Sequence, residues 1–238
     1  MWDDPDVDWD RFALVVVRSA WDYAERWSQF LRWAEARPRI ENRLSVLRFG
    51  VDKHRYLSVL AGAGVPVVPT TFVRLGESFE PPEEAFVVKP PISAGGRRSA
   101  LFEPGDGAAS DLVAEITGAG GLAMIQPLLS DVAESSLVYI DGDYSHSLSR
   151  RAALPPGRAG DVLYLEEKLA PLEASPADRA IADAALATVP AQTLYARVDL
   201  LGGLEQELEV VEPSLYLSYG KGAADRFATG VVSRLPQP

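Results

Sequence analysis

The chain has 238 residues, 47% of them hydrophobic and 24% charged, an ordinary globular balance with enough material for a sizeable core. Asp and Glu outnumber Lys and Arg by 34 to 23, a net charge of −11, which speaks against nucleic acid or an anionic membrane as a partner. Cysteine is absent and histidine is limited to His54 and His146, which excludes disulfides and thiolate chemistry and argues against a His-rich metal site. No apolar run reaches the ~18 residues of a membrane helix, and the acidic N-terminus is unlike a signal peptide. A cytoplasmic protein is the expectation.

In chain order, the valine-rich run Ala13–Val17 reads as a buried strand. Trp21–Ala36 carries Trp, Phe and Leu at helical spacing, with Pro38 just beyond its end. All five tryptophans fall within the first 33 residues, which predicts a compact N-terminal packing unit. A helix is expected over Asp52–Ala63, closed by Gly64, then an extended segment through Val73. Ala85–Lys89 is a strand, followed by Pro90-Pro91 and the glycine-rich stretch Ser93–Ser99. Ala100–Phe102, Asp111–Thr117 and Ala123–Gln126 read as strand, helix and strand. Ser136–Ile140 and Tyr144–Leu148 flank Asp141-Gly142-Asp143 as a hairpin, and Pro155–Gly160 is a loop. Ser175-Pro176 opens a helix to Thr188. Leu194–Leu201 and Leu208–Val211 are strands around Gly202-Gly203, and a short helix is expected near Ala223–Ala228. Strands and helices mix without strict alternation, which points to α+β lobes.

Two constellations carry chemistry. The first is basic: Lys89 ends a strand, and Gly95 and Gly96 let backbone N–H groups turn toward an anion, with Arg97 and Arg98 as forked phosphate donors. An ordinary hairpin loop with solvated arginines would look the same. The second is acidic: Asp199, then Glu212 thirteen positions later, with Ser214 two beyond. Mg²⁺ favours one or two carboxylates plus phosphate oxygens. Strand alternation sets Leu208, Val210 and Glu212 on one buried face and Glu207 and Glu209 on the other. A tight turn at Gly202-Gly203 would leave Asp199 opposite Gln206, so pairing it with Glu212 requires a wider loop. The alternative is a buried Glu212 paired with Arg197.

The order of Asp52-Lys53, Val88-Lys89-Pro90 with its glycine-rich loop, Ile125–Leu129, Glu134, Arg197-Val-Asp199 and Glu212-Pro-Ser214 resembles the ATP-grasp signature. It is similar to that of D-alanine–D-alanine ligase, glutathione synthetase and the bacterial ATP-grasp proteins that include a cycloserine-biosynthesis ligase. In the last group Val16–Tyr23, Gly64–Thr70 and Tyr139–His146 also find counterparts. The resemblance implies an ATP-grasp fold of two α+β lobes clasping ATP. A truncated Rossmann-like segment over residues 1–45 would precede an ATP-grasp domain over 46–238, whose lobes meet near residue 125.

It further implies an ATP- and Mg²⁺-dependent ligase joining a small carboxylate to an amine or other nucleophile through an acyl-phosphate. The alternatives are a non-catalytic ATP-binding regulator and phosphoryl transfer to an alcohol. Lys53, Lys89 and the loop with Ser93, Gly95 and Gly96 would hold phosphates. Gln126, Leu128 and Leu129 would meet adenine, and Glu134 the ribose. Asp199, Glu212 and Ser214 would hold Mg²⁺, with Ser214 where the family often has Asn. Arg197 and Arg150 would face the transferred phosphoryl or the acyl-phosphate. Arg18, Trp21, Asp22 and Tyr23 are candidate walls for an amino-acid-like substrate, and the assembly leaves room for a homodimer. The stretch from Arg151 to Ala170 departs from the family pattern, with Arg158 as a candidate replacement for a missing arginine. His54 reads as a surface helix residue and His146 as structural.

Overall fold

The computed structural model describes residues 1–130, 132–152, 157–158 and 167–236. The Pro155–Gly160 loop and the side chain of Arg158 fall largely outside the described residues.

The N-terminal unit is small and aromatic. Strand β1 (Val15–Val16) pairs in parallel with β2 (Ile40–Glu41), and between them run a 3₁₀ turn over Trp21–Glu25 and helix α1 (Trp27–Glu35). The single helix expected over Trp21–Ala36 is thus broken at Arg26, whose backbone is non-helical at φ −128°. Trp2, Phe30 and Trp33 meet at ring distances of 5.6–6.0 Å, and Trp9 stacks edge-on to Trp33 at 5.2 Å. Trp27, by contrast, is exposed.

Helix α2 (Leu44–Gly50), which the sequence pattern did not reveal, leads into α3 (Lys53–Gly62). Asp52 caps α3 by accepting from the His54 N–H at 3.0 Å, and Gly64 takes the left-handed conformation after its end (φ +79°). Then come β3 (Thr71–Val73), β4 (Phe86–Lys89), β5 (Ala100–Phe102), α4 (Ala108–Gly118) and β6 (Ala123–Pro127). The hairpin β7 (Glu134–Ile140) and β8 (Asp143–Ala152) turns at Asp141 and Gly142, both at positive φ. The chain continues with β9 (Gly157–Arg158), β10 (Glu167–Leu172), α5 (Pro176–Leu186), β11 (Tyr195–Leu201), β12 (Leu204–Glu209) and α6 (Ala223–Ser233).

Two five-stranded antiparallel sheets result. The first, in the order β3-β6-β4-β5-β9, packs α4 over Val88, Phe102 and Ile125. The second, β10-β8-β7-β11-β12, carries α5 on one face. Phe49, Tyr56, Leu57 and Leu60 of α2 and α3 also join the core of this second sheet, beside Leu137, Val198 and Leu208. Among the described residues, no helix is long and apolar enough to cross a membrane.

One polar side chain ties the N-terminal unit to the second sheet. Asn42 is fully buried; its amide donates to the carbonyls of Tyr195 and Val210 at 2.8 Å and its oxygen accepts from the Leu194 N–H at 2.7 Å. Asn42→Ala leaves those backbone groups without partners inside the protein. It should lower unfolding stability by about 3 kcal/mol. A urea titration that finds a loss well under about 1 kcal/mol would show that the groups find other partners.

Candidate active site

β11 alternates between two faces. Val198 and Leu200 point into the core, while Arg197 and Asp199 take the opposite face, where Arg197 lines a cavity. The turn to β12 is tight, with Leu201 opposite Leu204 and both Gly202 (φ +59°) and Gly203 (φ +80°) left-handed, as a two-residue hairpin requires. The wider loop that pairing Asp199 with Glu212 across the strands would require is absent. A β-bulge at Gln206 instead adds one residue to β12, so Asp199 faces Glu207, Val198 faces Leu208 and Arg197 faces Glu209.

The bulge decides which acids enter the cleft. Glu207 and Glu209 do lie opposite the buried face of Leu208, as alternation requires, and both line a cavity. Among the described residues, Asp199, Glu207 and Glu209 form a group whose ligand oxygens all lie within 4.8 Å of one another. Glu212 is not in that group. β12 ends at Glu209 and the chain bends at Val211-Glu212, which carries Glu212 off the core row and onto the cavity wall.

Basic groups interlock with these carboxylates. Asp199 is fully buried, accepts from Ser136 Oγ at 2.6 Å and meets both Arg197 (2.8 Å) and Arg150 (3.0 Å). Arg197 also reaches Glu209 at 2.9 Å and the Ser214 carbonyl at 3.1 Å. Arg150 is ion-paired with Glu134 at 2.9 Å, so the carboxylate expected at a ribose is engaged by an arginine here. Lys53, at the first turn of α3, pairs with Glu207 at 2.8 Å and donates to the Ser93 carbonyl at 3.3 Å, tying the glycine-rich loop to the floor.

The charges sort the acids. Burial works to raise Asp199, but Arg150 and Arg197 outweigh it and hold the carboxyl below its ordinary range. Glu207 likewise drops to about 2 because Lys53 and Lys89 overcome its burial. Burial dominates elsewhere, raising Glu209 to about 7 despite Arg197 and Glu212 to about 9 with the help of Glu209. Burial lowers the Lys89 ammonium to about 8.

A cavity of about 270 Å³ opens over this floor, lined by Lys53, Lys89, Ser93, Gly95, Gly96 and Glu207 among others. Gly95 and Gly96 sit at φ +63° and +73°, backbone that only glycine adopts freely. The arginines of the loop do not line this cavity: Arg97 pairs with Glu25 and Arg98 with Glu115 at 3.5 Å. A second cavity, of about 790 Å³, adjoins the first at Lys89, Glu134, Arg150 and Gln206, with Gln126, Leu128 and Leu129 on its wall. Here the Gln126 amide donates to Thr70 Oγ1 at 3.0 Å and the Leu128 N–H donates to the Ala85 carbonyl at 2.8 Å. The Leu128 N–H is therefore spent on the β4–β6 edge. Tyr23 lines the first cavity; Arg18 instead bonds the Pro213 carbonyl, and Asp22 the Trp2 indole and Arg26. His54 lies edge-on to Phe72, and His146 is buried against the Leu215 carbonyl.

This cleft between two α+β lobes, with lysines and carboxylates at its floor, has the form of an ATP-grasp protein. The crystal structure of D-alanine–D-alanine ligase from Bacillus anthracis shares the fold, with a TM-score of 0.62 at 15% identity over 94% of this chain and 82% of that one. The ATP-grasp ligase PsnB does so at 0.58 and 18%, over 92% and 78%. The crystal structure of D-cycloserine synthetase DcsG matches with a TM-score of 0.85 and 32% identity over 99% of this chain and 88% of that one. A family model described as D-cycloserine synthetase DcsG, N-terminal domain, matches residues 1–45. The cycloserine biosynthesis protein DcsG of Streptomyces lavendulae is 35% identical over 266 residues, covering 98% of this chain and 87% of that protein. The chain belongs to the DcsG family of ATP-grasp ligases.

Glu205 stands beneath the floor and lines neither cavity. It is fully buried, neither carboxylate oxygen has a hydrogen-bond partner, and burial together with Glu207 raises it to about 8 from an ordinary 4.5. The folded state keeps its proton while the unfolded chain releases it above about 4.5, so stability falls as pH rises from there to about 8. Glu205→Gln should be close to neutral near pH 4.5 and gain on wild type by at most about 1.4 kcal/mol per pH unit up to pH 8. Denaturant titrations across that range measure it, and a constant offset would count against a protonated Glu205.

Proposed function

We propose that the protein couples cleavage of ATP to ligation of a small carboxylate with an amine or other nucleophile, through an acyl-phosphate. The observation that carries this reading is the pair of adjoining cavities. The larger one suits adenine and ribose; the smaller one suits the phosphates. They meet where Lys89 and Arg150 stand, as a nucleoside triphosphate laid across both would require.

The donor set fits a hard divalent cation. Three carboxylate residues offer oxygens within 4.8 Å of one another, with no nitrogen or sulfur ligand among them. We assign Mg²⁺ to Asp199, Glu207 and Glu209 in place of Asp199, Glu212 and Ser214. Bound there, the ion would neutralise charge on phosphate oxygens. Lys53 and Lys89 would hold those oxygens from the side of the glycine-rich loop, whose Gly95 and Gly96 let the backbone approach closely. Arg197 and Arg150 would trade part of their carboxylate pairing for the transferred phosphoryl or the acyl-phosphate, and fixed positive charge at that point is worth most in a site that excludes water. Gln126, Leu128 and Leu129 would contact the base through atoms other than the Leu128 N–H, and Glu134 the ribose after yielding part of its Arg150 contact. A cytoplasmic location accords with this chemistry.

The direct test is ADP release from Mg-ATP with pooled carboxylic and amino acids. No release, together with no saturable ATP binding, would remove the ligase reading. Glu209→Gln should raise the Mg²⁺ concentration for half-maximal ADP release roughly tenfold or more; an unchanged requirement would take Glu209 out of the metal site.

Lys89 gives a separate readout. Near pH 8.5 its ammonium, lowered to about 8 by burial, is largely unprotonated in the free protein, and a bound triphosphate would restore the charge. Mg-ATP binding should then take up a proton, seen by calorimetry in two buffers of different ionisation enthalpy. Lys89→Met should abolish the uptake, and equal uptake by the variant would exclude Lys89 as a phosphate contact.

A further inference from the structure

The segment Gly64–Thr70 carries the chain from α3 to β3 and is pinned to β12. The Glu205 N–H donates to the Pro66 carbonyl at 2.7 Å, and the Val68 N–H donates to the Glu205 carbonyl at 2.9 Å. Val68 is buried on the wall of the larger cavity. Thr70 does not line that cavity, yet its hydroxyl bonds a side chain that does.

A threonine hydroxyl has one proton to give. Thr70 Oγ1 gives it to the Val68 carbonyl at 2.8 Å, so toward Gln126 it can only accept. The Gln126 amide nitrogen fills that role at 3.0 Å. A primary amide has donors at one end and an acceptor at the other, and its hydrogen-bond partners decide which end points where. With Nε2 held by Thr70, Oε1 is left on the cavity side, where none of the described residues donates to it. Turning the amide over would set Oε1 against a hydroxyl oxygen or cost the Val68 carbonyl its donor. Gln126 is 4% exposed, so bulk water is a poor substitute for the lost partner.

A fixed acceptor reads one feature of a purine base. A 6-amino purine brings it an N–H donor. A 6-oxo purine presents an oxygen in the same place, and two acceptors facing each other in a buried site weaken binding. Lys168 lines the same cavity but is exposed, and the ammonium on its flexible stem can follow either base. The Leu128 N–H is bound to the Ala85 carbonyl and so does not read a ring nitrogen.

We propose, resting on the reading of the larger cavity as the adenine site, that Thr70 is a positioning residue for base selection. It locks the Gln126 carbonyl oxygen toward the cavity, so that the protein prefers a 6-amino purine nucleotide to its 6-oxo counterpart.

The experiment titrates wild type, Thr70→Val and Thr70→Ser with Mg-ATP and with Mg-ITP, whose bases differ at position 6 and in the N1 proton, and reads Kd by calorimetry. Wild type should bind Mg-ATP more tightly by roughly tenfold or more. Thr70→Val keeps the shape of the side chain without the hydroxyl, frees the amide to turn, and should bring the ratio of the two Kd values close to unity. Thr70→Ser keeps the hydroxyl and should keep the wild-type ratio. A threonine needed only for packing would weaken both nucleotides together, or lower the Tm, while the ratio holds; that result overturns the proposal. Equal binding of the two nucleotides by wild type overturns it as well and leaves the nucleotide site standing. If neither nucleotide binds wild type, it is the ligase reading that fails. Should Thr70→Val not fold, Thr70→Ala carries the same comparison.

Discussion

The structure turns on a single buried carboxylate. Asp199 sits in the middle of the second sheet, away from water, and a charge there is tolerable only if the surroundings supply its counter-charge and hydrogen bonds. Neighbouring strands comply: Ser136 from β7, Arg150 from β8 and Arg197 from β11 itself all bond it. The register of these strands is therefore fixed twice, by the apolar row of Val198, Leu200 and Leu208 below and by interlocking charges above. A slip of one residue would bury the wrong row on both faces at once.

The same network arranges the chemistry. Two guanidiniums and an ammonium hold three carboxylates close together although those carboxylates repel one another. The site is thus organised by its own ion pairs, without a ligand. Lys53 extends this order to the glycine-rich loop through the Ser93 carbonyl, and Arg97 ties the far side of the loop to Glu25 in the N-terminal unit. The floor, the loop and the aromatic N-terminal unit are one connected body.

Much of this was readable from residues alone. The helix after Asp52, the Asp141-Gly142 hairpin, the proline-opened α5 and the lysine-ended β4 carry local signals strong enough to survive tertiary context, and the ordered motifs gave the fold. Helix α2 was not readable, because its seven residues owe their conformation to packing under Val210 and beside Asn42 rather than to a periodic stripe. The placing of the β12 acids was out of reach for a different reason. Alternation separates two faces correctly but does not say which one faces ligand, and no residue type announces the bulge at Gln206. The pairing Asp199–Glu207 depends on counting one extra residue that only the folded register reveals.

That extra residue makes the spacing of the site a matter of arithmetic. From Asp199 to Glu209 the segment holds a two-residue turn and one bulged residue, and every acid's face follows from that count. Exchanges of side chain at Leu204 or Gln206 leave the arithmetic intact. Loss or gain of one residue in the segment would exchange the rows, sending Glu207 and Glu209 into the helix-packed core and Leu208 into the cleft. Length, more than composition, is what this stretch of chain has to keep.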